Sequence, residues 1–118
     1  MSDDLTPAEV LDRMTEAYRR GDFDAGMALI DPAAIDHSAP GGPSNDLAAW
    51  RGRWEQAHAA MPDVRVDVEQ VLVDGDMVAR RLRSHGHRDG RPFALRGMDM
   101  VRVRAGKLVE HWAFAVEE

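Results

Sequence analysis

The sequence predicts an α+β fold: a strongly curved antiparallel sheet with three helices packed on its concave side. Apolar residues recur at three- and four-residue spacing through the first half, from Val10 to Met61. They alternate every second residue from Val64 onward. The dipeptides Asp74-Gly75, Asp89-Gly90 and Ala105-Gly106 then divide the second half at hairpin spacing. Helices first and strands afterwards place the two kinds of element in separate layers.

The first helix has Thr6 as its cap, Pro7 at its first position and Glu9 three residues after the cap, which together make a capping box, and Gly21 ends it. Val10, Leu11, Met14, Ala17 and Tyr18 form its apolar stripe. A second short helix is expected from Asp22, carrying Phe23, Met27, Leu29 and Ile30, with Asp31-Pro32 as its stop. A brief extended piece spans 34–37, and Ser38-Ala39-Pro40-Gly41-Gly42-Pro43 reads as a loop at a rim. Ser44 or Asn45 caps the third helix, whose stripe of Leu47, Trp50, Trp54, Ala57, His58 and Met61 runs to Pro62. Val64, Val66 and Val68 alternate in one phase and Val71 and Val73 in the other, so a β-bulge is expected near Glu69-Gln70. Four main strands follow in all, the last from Leu108 to Phe114.

Composition narrows the function. With 118 residues, 1–118 read as one domain, and 31% charged against 44% hydrophobic residues is the balance of a soluble globular chain. The absence of cysteine excludes disulfides, thiolate metal sites and cysteine nucleophiles. A formal charge of −6 and scattered arginines argue against nucleic acid as a partner. No stretch approaches the ~20 apolar residues needed to span a bilayer. The start Met1-Ser2-Asp3-Asp4-Leu5 is acidic and lacks an apolar signal region, so a cytoplasmic protein is expected. Fourteen arginines to one lysine, with abundant alanine, point to a GC-rich bacterial genome. No pair of histidines with a carboxylate has metal-ligand spacing, so neither a metal nor another cofactor is expected.

One acid stands out. In Phe93-Ala94-Leu95-Arg96-Gly97-Met98-Asp99-Met100-Val101-Arg102-Val103 the inward face reads Phe93, Leu95, Gly97, Asp99, Val101 and Val103, so Asp99 interrupts an apolar face. A two-residue turn at Asp89-Gly90 pairs Arg80 with Asp99. At Ala105-Gly106, a three-residue loop with Gly106 alone left-handed sets His111 opposite Asp99, whereas a simple two-residue turn sets Trp112 there. Asp99 thus reads either as a reactive acid or as half of a buried ion pair with Arg80. Trp50, Trp54 and His58 share a helix face and read either as core packing or as substrate contacts. Met98, Met100 and Trp112 on the other sheet face suggest a homodimer interface.

Ile35-Asp36-His37, Met61-Pro62-Asp63, Gly75-Asp76-Met77-Val78-Ala79, Gly97-Met98-Asp99-Met100-Val101-Arg102-Val103 and Gly106-Lys107-Leu108-Val109-Glu110-His111-Trp112 occur in an order and spacing that resemble the SnoaL-like polyketide cyclases. That family lies within the nuclear-transport-factor-like superfamily, together with ketosteroid isomerase and limonene epoxide hydrolase. The resemblance covers most of the chain and implies a cone-shaped α+β barrel around an apolar pocket. It implies that Asp99 is the general acid/base, and it puts His37 where the isomerase keeps its base. The hydrolase's Asp-Arg-Asp set is not matched, because position 97 is glycine and the last strand offers no second inward aspartate.

The resulting expectation is a small-molecule enzyme that transfers a proton next to a carbonyl, most concretely an intramolecular aldol closure of a polyketide-like substrate. Asp99, His37 and His111 are the expected catalytic residues, and Arg80, Trp50, Trp54 and His58 the expected substrate contacts. The other readings are a non-catalytic small-ligand-binding domain of the same fold and, behind it, an epoxide hydrolase.

Overall fold

A computed structural model describes residues 4–118; the acidic start at Met1 to Asp3 lies outside the described residues. Three helices, α1 (Pro7–Arg20), α2 (Phe23–Met27) and α3 (Leu47–Ala60), accompany five strands: β1 (Ile30–Asp36), β2 (Arg65–Asp74), β3 (Met77–Arg88), β4 (Arg91–Arg104) and β5 (Lys107–Glu117). The sheet order is β1-β5-β4-β3-β2. Strands β2 to β5 form the expected antiparallel meander, and β1 adds a fifth, parallel strand beside β5.

The α1 capping box is present, with the Thr6 hydroxyl accepting from the Glu9 amide and the Glu9 carboxylate accepting from the Thr6 amide. Gly21 closes the helix at φ 74°, a left-handed conformation that suits a residue without Cβ. The α1 stripe of Val10, Leu11 and Met14 packs with Trp50 of α3 onto Val78, Val101, Val103 and Leu108 of the sheet. Full burial of each such aliphatic side chain contributes roughly 1.5–3 kcal/mol. At ~3.3 Å per residue, the 14 residues of β4 span roughly 46 Å. That matches the 48 Å long dimension of the molecule, so the helices cover only part of the sheet's length.

Three sequence expectations shift. Pro32 does not end α2: Ile30 already belongs to β1, and the proline falls where the β1–β5 ladder is interrupted, between Ile30 and Ile35, so its missing N–H costs no ladder bond. The α3 cap is Asp46, whose carboxylate accepts from the Ala49 amide, not Ser44 or Asn45. The first hairpin turns at Gly75-Asp76, because Asp74 itself pairs with Met77.

The β2 bulge and the Asp89-Gly90 turn agree with expectation. The ladder slips between Val68 and Gln70. Asp89 (φ 54°) and Gly90 (φ 75°) form a two-residue turn that pairs Arg80 with Asp99.

The last hairpin follows neither expected register. Ala105 (φ 50°) and Gly106 (φ 72°) are both left-handed, so Arg104 pairs with Lys107 across a two-residue turn. A non-glycine residue there costs about 1–2 kcal/mol, which is offset because such a turn matches the twist of the strands it joins. The ladder then slips once more, since Val103 pairs with Leu108 but Arg102 with Glu110, leaving Val109 as a bulge. His111 consequently faces Val101, and the residue opposite Asp99 is Ala113, neither His111 nor Trp112. The bulge also switches the strand's phase: Leu108 and His111 both point inward.

Candidate active site

Between α1, α3 and the concave face of the sheet lies a cavity of about 440 Å³. Leu11, Met14 and Tyr18 of α1, Trp54 and Ala57 of α3, and Val66, Leu82, Ala113 and Ala115 of the sheet give it mostly apolar walls. Thr15, Arg80, Ser84, Asp99 and His111 provide its polar lining. A few polar groups in an apolar concavity are the usual makeup of a small-molecule site.

Arg80 and Asp99 form a pair across the β3–β4 ladder, as the Asp89-Gly90 register requires. Arg80 Nε donates to Asp99 Oδ1 at 3.0 Å and Nη2 donates to Oδ2 at 2.6 Å. A third donor, Nη1, reaches the Thr15 hydroxyl of α1 at 3.0 Å. The two side chains are 4% and 12% exposed, so the charges sit largely out of water and each holds the other in place.

His111 is the other polar centre, and its partner is Asp36, at the end of β1. The parallel register places Asp36 beside His111, and His111 Nδ1 donates to Asp36 Oδ1 at 3.0 Å. The same carboxylate accepts from the Ser38 amide at 3.1 Å and the Ser38 hydroxyl at 2.9 Å, and its Oδ2 accepts from Arg53 Nη2 at 3.1 Å. Burial pushes the Asp36 carboxyl up, but the hydrogen bonds from His111 and Ser38 outweigh it and hold its pKa at about 2. Asp36 is therefore ionised at neutral pH and selects the tautomer of the neutral His111 ring: Nδ1 carries the proton toward Asp36, which leaves the lone pair on Nε2, an atom with no partner among the described residues.

The other expected site residues fall in different places. His37 follows Asp36 in the chain, so its side chain leaves on the opposite face. Its Nε2 meets Glu110 Oε2 at 2.8 Å, and its ring stacks on Trp112 with centroids 4.6 Å apart and planes 4° apart. That hydrogen bond, against a smaller effect of burial and with help from Arg102, holds Glu110 below the usual carboxylate range. His37 is thus not brought together with Asp99 and His111. His58 packs edge-on against Tyr18 and Phe23 and donates from Nε2 to the Arg19 carbonyl at 3.2 Å, away from the cavity wall. Trp50 is a core residue, 3% exposed, whose ring backs His111 at 5.1 Å between centroids. Trp54 lines the cavity and meets Trp50 and Tyr18 edge-on. Among the described residues no group of histidine, aspartate and glutamate side chains is arranged to hold a metal ion.

Asp36, Arg53, Ser38 and Thr15 were not singled out by sequence reasoning. The sequence carries no signal for Asp36: alternation by hydrophobicity turns Ile35 inward, whereas in the structure Ala34 and Asp36 are buried and Ile35 is exposed.

The fold and this cavity define a cone-shaped α+β domain of the ketosteroid-isomerase-like kind. The chain matches the SnoaL-like domain over residues 11–111 and belongs to that family. It is similar to IdmH, a proposed polyketide cyclase from Streptomyces antibioticus: 31% identity over 94% of this chain and 92% of that one, with a TM-score of 0.84. A loop-truncated variant of IdmH matches at 34% identity over 93% and 92%, with a TM-score of 0.83. AclR, a proposed hydroxylase from Streptomyces galilaeus, shares the fold at 21% identity, covering 93% of this chain and 88% of that one, with a TM-score of 0.82. No curated protein sequence matches the chain. Among the described residues no helix is long and apolar enough to cross a membrane.

Proposed function

We propose that this protein is an enzyme that moves a proton next to a carbonyl group of an apolar, polyketide-like small molecule, with His111 as general base and Asp36 as the residue that positions it. The observation that carries this reading is the 3.0 Å hydrogen bond from His111 Nδ1 to a buried, ionised Asp36, on a ring that lines the cavity. A base held by a second group is the arrangement proton transfer needs. Asp99 takes a different role from the one expected of it: both of its oxygens are held by Arg80, so in this reading it is the fixed anion that keeps Arg80 in place.

In the reaction, the Nε2 lone pair takes an α-proton. The C–H electron pair becomes the enolate double bond, and the carbonyl π pair moves onto oxygen. The enolate carbon then attacks a second carbonyl of the same molecule, forming the C–C bond of a new ring. The resulting alkoxide recovers the proton from His111, and nothing leaves. Returning the proton to a different carbon instead makes the outcome an isomerisation. No step calls on a cofactor. The dry walls strengthen every electrostatic contact made to the developing charge.

The same reading places the protein in a bacterial cytoplasm as a homodimer. The arginine-rich composition supports the bacterial origin alone. The homodimer rests on the exposed apolar side chains of the outer sheet face, Met98, Met100, Phe114 and Val116.

A second reading, a non-catalytic ligand-binding domain, draws on the completeness of the Arg80–Asp99 pair, which leaves the cavity no unpaired charge there. Proton exchange separates the two. α-Deuterated 1-tetralone, an apolar aryl ketone, is incubated with the protein and its loss of deuterium followed by NMR. Catalysed exchange that disappears in His111→Ala is the expected result. Tetralone binding without exchange by the wild-type protein supports the ligand-binding domain instead.

A further inference from the structure

We infer that the Thr15 hydroxyl is the hydrogen-bond donor for the carbonyl oxygen that becomes negative during the reaction, and that the cavity is built for a substrate that is neutral until that moment. The role rests on the proton-transfer reading above, but the site is defined by its own geometry. Thr15 Oγ1 accepts from Arg80 Nη1 at 3.0 Å, so one of its lone pairs is occupied by a cation held in place by Asp99. A hydroxyl that accepts from a guanidinium is a stronger donor, because the accepted bond draws electron density from its oxygen. Its own proton has no acceptor among the described residues, although helical threonines commonly return it to a carbonyl one turn back. Thr15 lines the same cavity as His111. The base and the oxygen donor therefore reach one void from two elements, His111 from β5 and Thr15 from α1.

The charges around the void select the ligand class. Arg80 is matched by Asp99, and Asp36 by Arg53. A substrate carrying a permanent carboxylate finds no unpaired arginine or lysine among the described residues of the cavity wall and gives up its hydration without return. A neutral ketone gives up little, and its oxygen becomes a strong acceptor only as the α-proton leaves. An interaction that strengthens along the reaction raises the rate rather than the affinity.

The test uses Thr15→Val, which keeps the shape and removes the hydroxyl, and Thr15→Ser, which keeps the hydroxyl. The probe is 2-naphthol, whose neutral and anionic forms have separate absorption bands, with naphthalene as a neutral reference. Wild type and Thr15→Ser are expected to bind the naphtholate alike, within about twofold. Thr15→Val is expected to bind it about tenfold more weakly, with naphthalene affinity unchanged in all three. Tetralone exchange in Thr15→Val is expected to fall on the order of 100-fold in kcat with little change in KM. Equal losses for naphtholate and naphthalene in Thr15→Val overturn the inference by making Thr15 a packing residue, and so does naphtholate binding that ignores the hydroxyl. The two proposals fail separately. Selective naphtholate binding in a protein that never exchanges tetralone refutes the base at His111 and leaves the oxygen site standing. Exchange that survives undiminished in Thr15→Val does the reverse.

Discussion

Asp36 is the residue on which the candidate site depends most. It is buried, its oxygens accept from three residues, and its hydrogen bond orients His111. Its depressed pKa makes a signed prediction about stability. A carboxyl held at about 2 in the folded protein, against an ordinary 3.8, stabilises the fold wherever it is ionised in both states, above about pH 4. The contribution, about 2 kcal/mol, is lost as pH falls from 4 through 2. Urea unfolding of wild type and Asp36→Asn between pH 6 and 2 is expected to show a gap that closes by about that amount on acidification. Removing the carboxylate also frees the His111 ring, and tetralone exchange is expected to drop by at least 100-fold in Asp36→Asn, read by NMR. The Arg80–Asp99 pair was legible because it spans one tight hairpin whose register a two-residue turn fixes. The Asp36–His111 pair was not, because it joins the first and last strands across 75 residues, in a parallel pairing that no turn specifies.

At the scale of the element, β5 shows how two local departures decide what faces the cavity. A two-residue turn alone sets Trp112 opposite Asp99 on the inner face, and the Val109 bulge moves Ala113 there, turning His111 inside and Trp112 outside. A positive φ is unfavourable for alanine, so the sequence leaves both turns open at Ala105-Gly106, and Val109 carries no glycine or proline to mark a bulge. The α1 capping box, the Asp89-Gly90 turn and the β2 bulge, by contrast, were readable since each has its own residue signature. Relieving the strained turn position gives a direct check. Ala105→Asn makes an Asn-Gly pair suited to two left-handed residues, and it is expected to raise stability by ~0.5–1 kcal/mol, seen as a higher urea midpoint with unchanged slope.

At the scale of the molecule, the helices and sheet enclose a void that neither layer contains alone, and the outer sheet face is left with a band of large apolar side chains. Phe114 is 67% exposed and Met98 44%, next to the His37–Trp112 stack. If that face joins two copies, sedimentation of the wild-type chain gives twice the 13.1 kDa mass. Met98→Lys combined with Phe114→Lys then gives the single-chain mass with unchanged far-ultraviolet circular dichroism. A wild-type chain that sediments as one copy removes the proposal.

The sequence by itself determined the layers, the meander, the inward face of the Asp99 strand and the Arg80–Asp99 pairing, because periodicity, capping and tight turns act over a few residues. Only the tertiary structure decided that Asp36 rather than His37 faces His111, that Thr15 reaches Arg80, and which residue stands opposite Asp99. Those outcomes depend on a parallel strand pairing, on how the first helix lies across the sheet and on an unmarked bulge. None of these leaves a short-range signature in the chain.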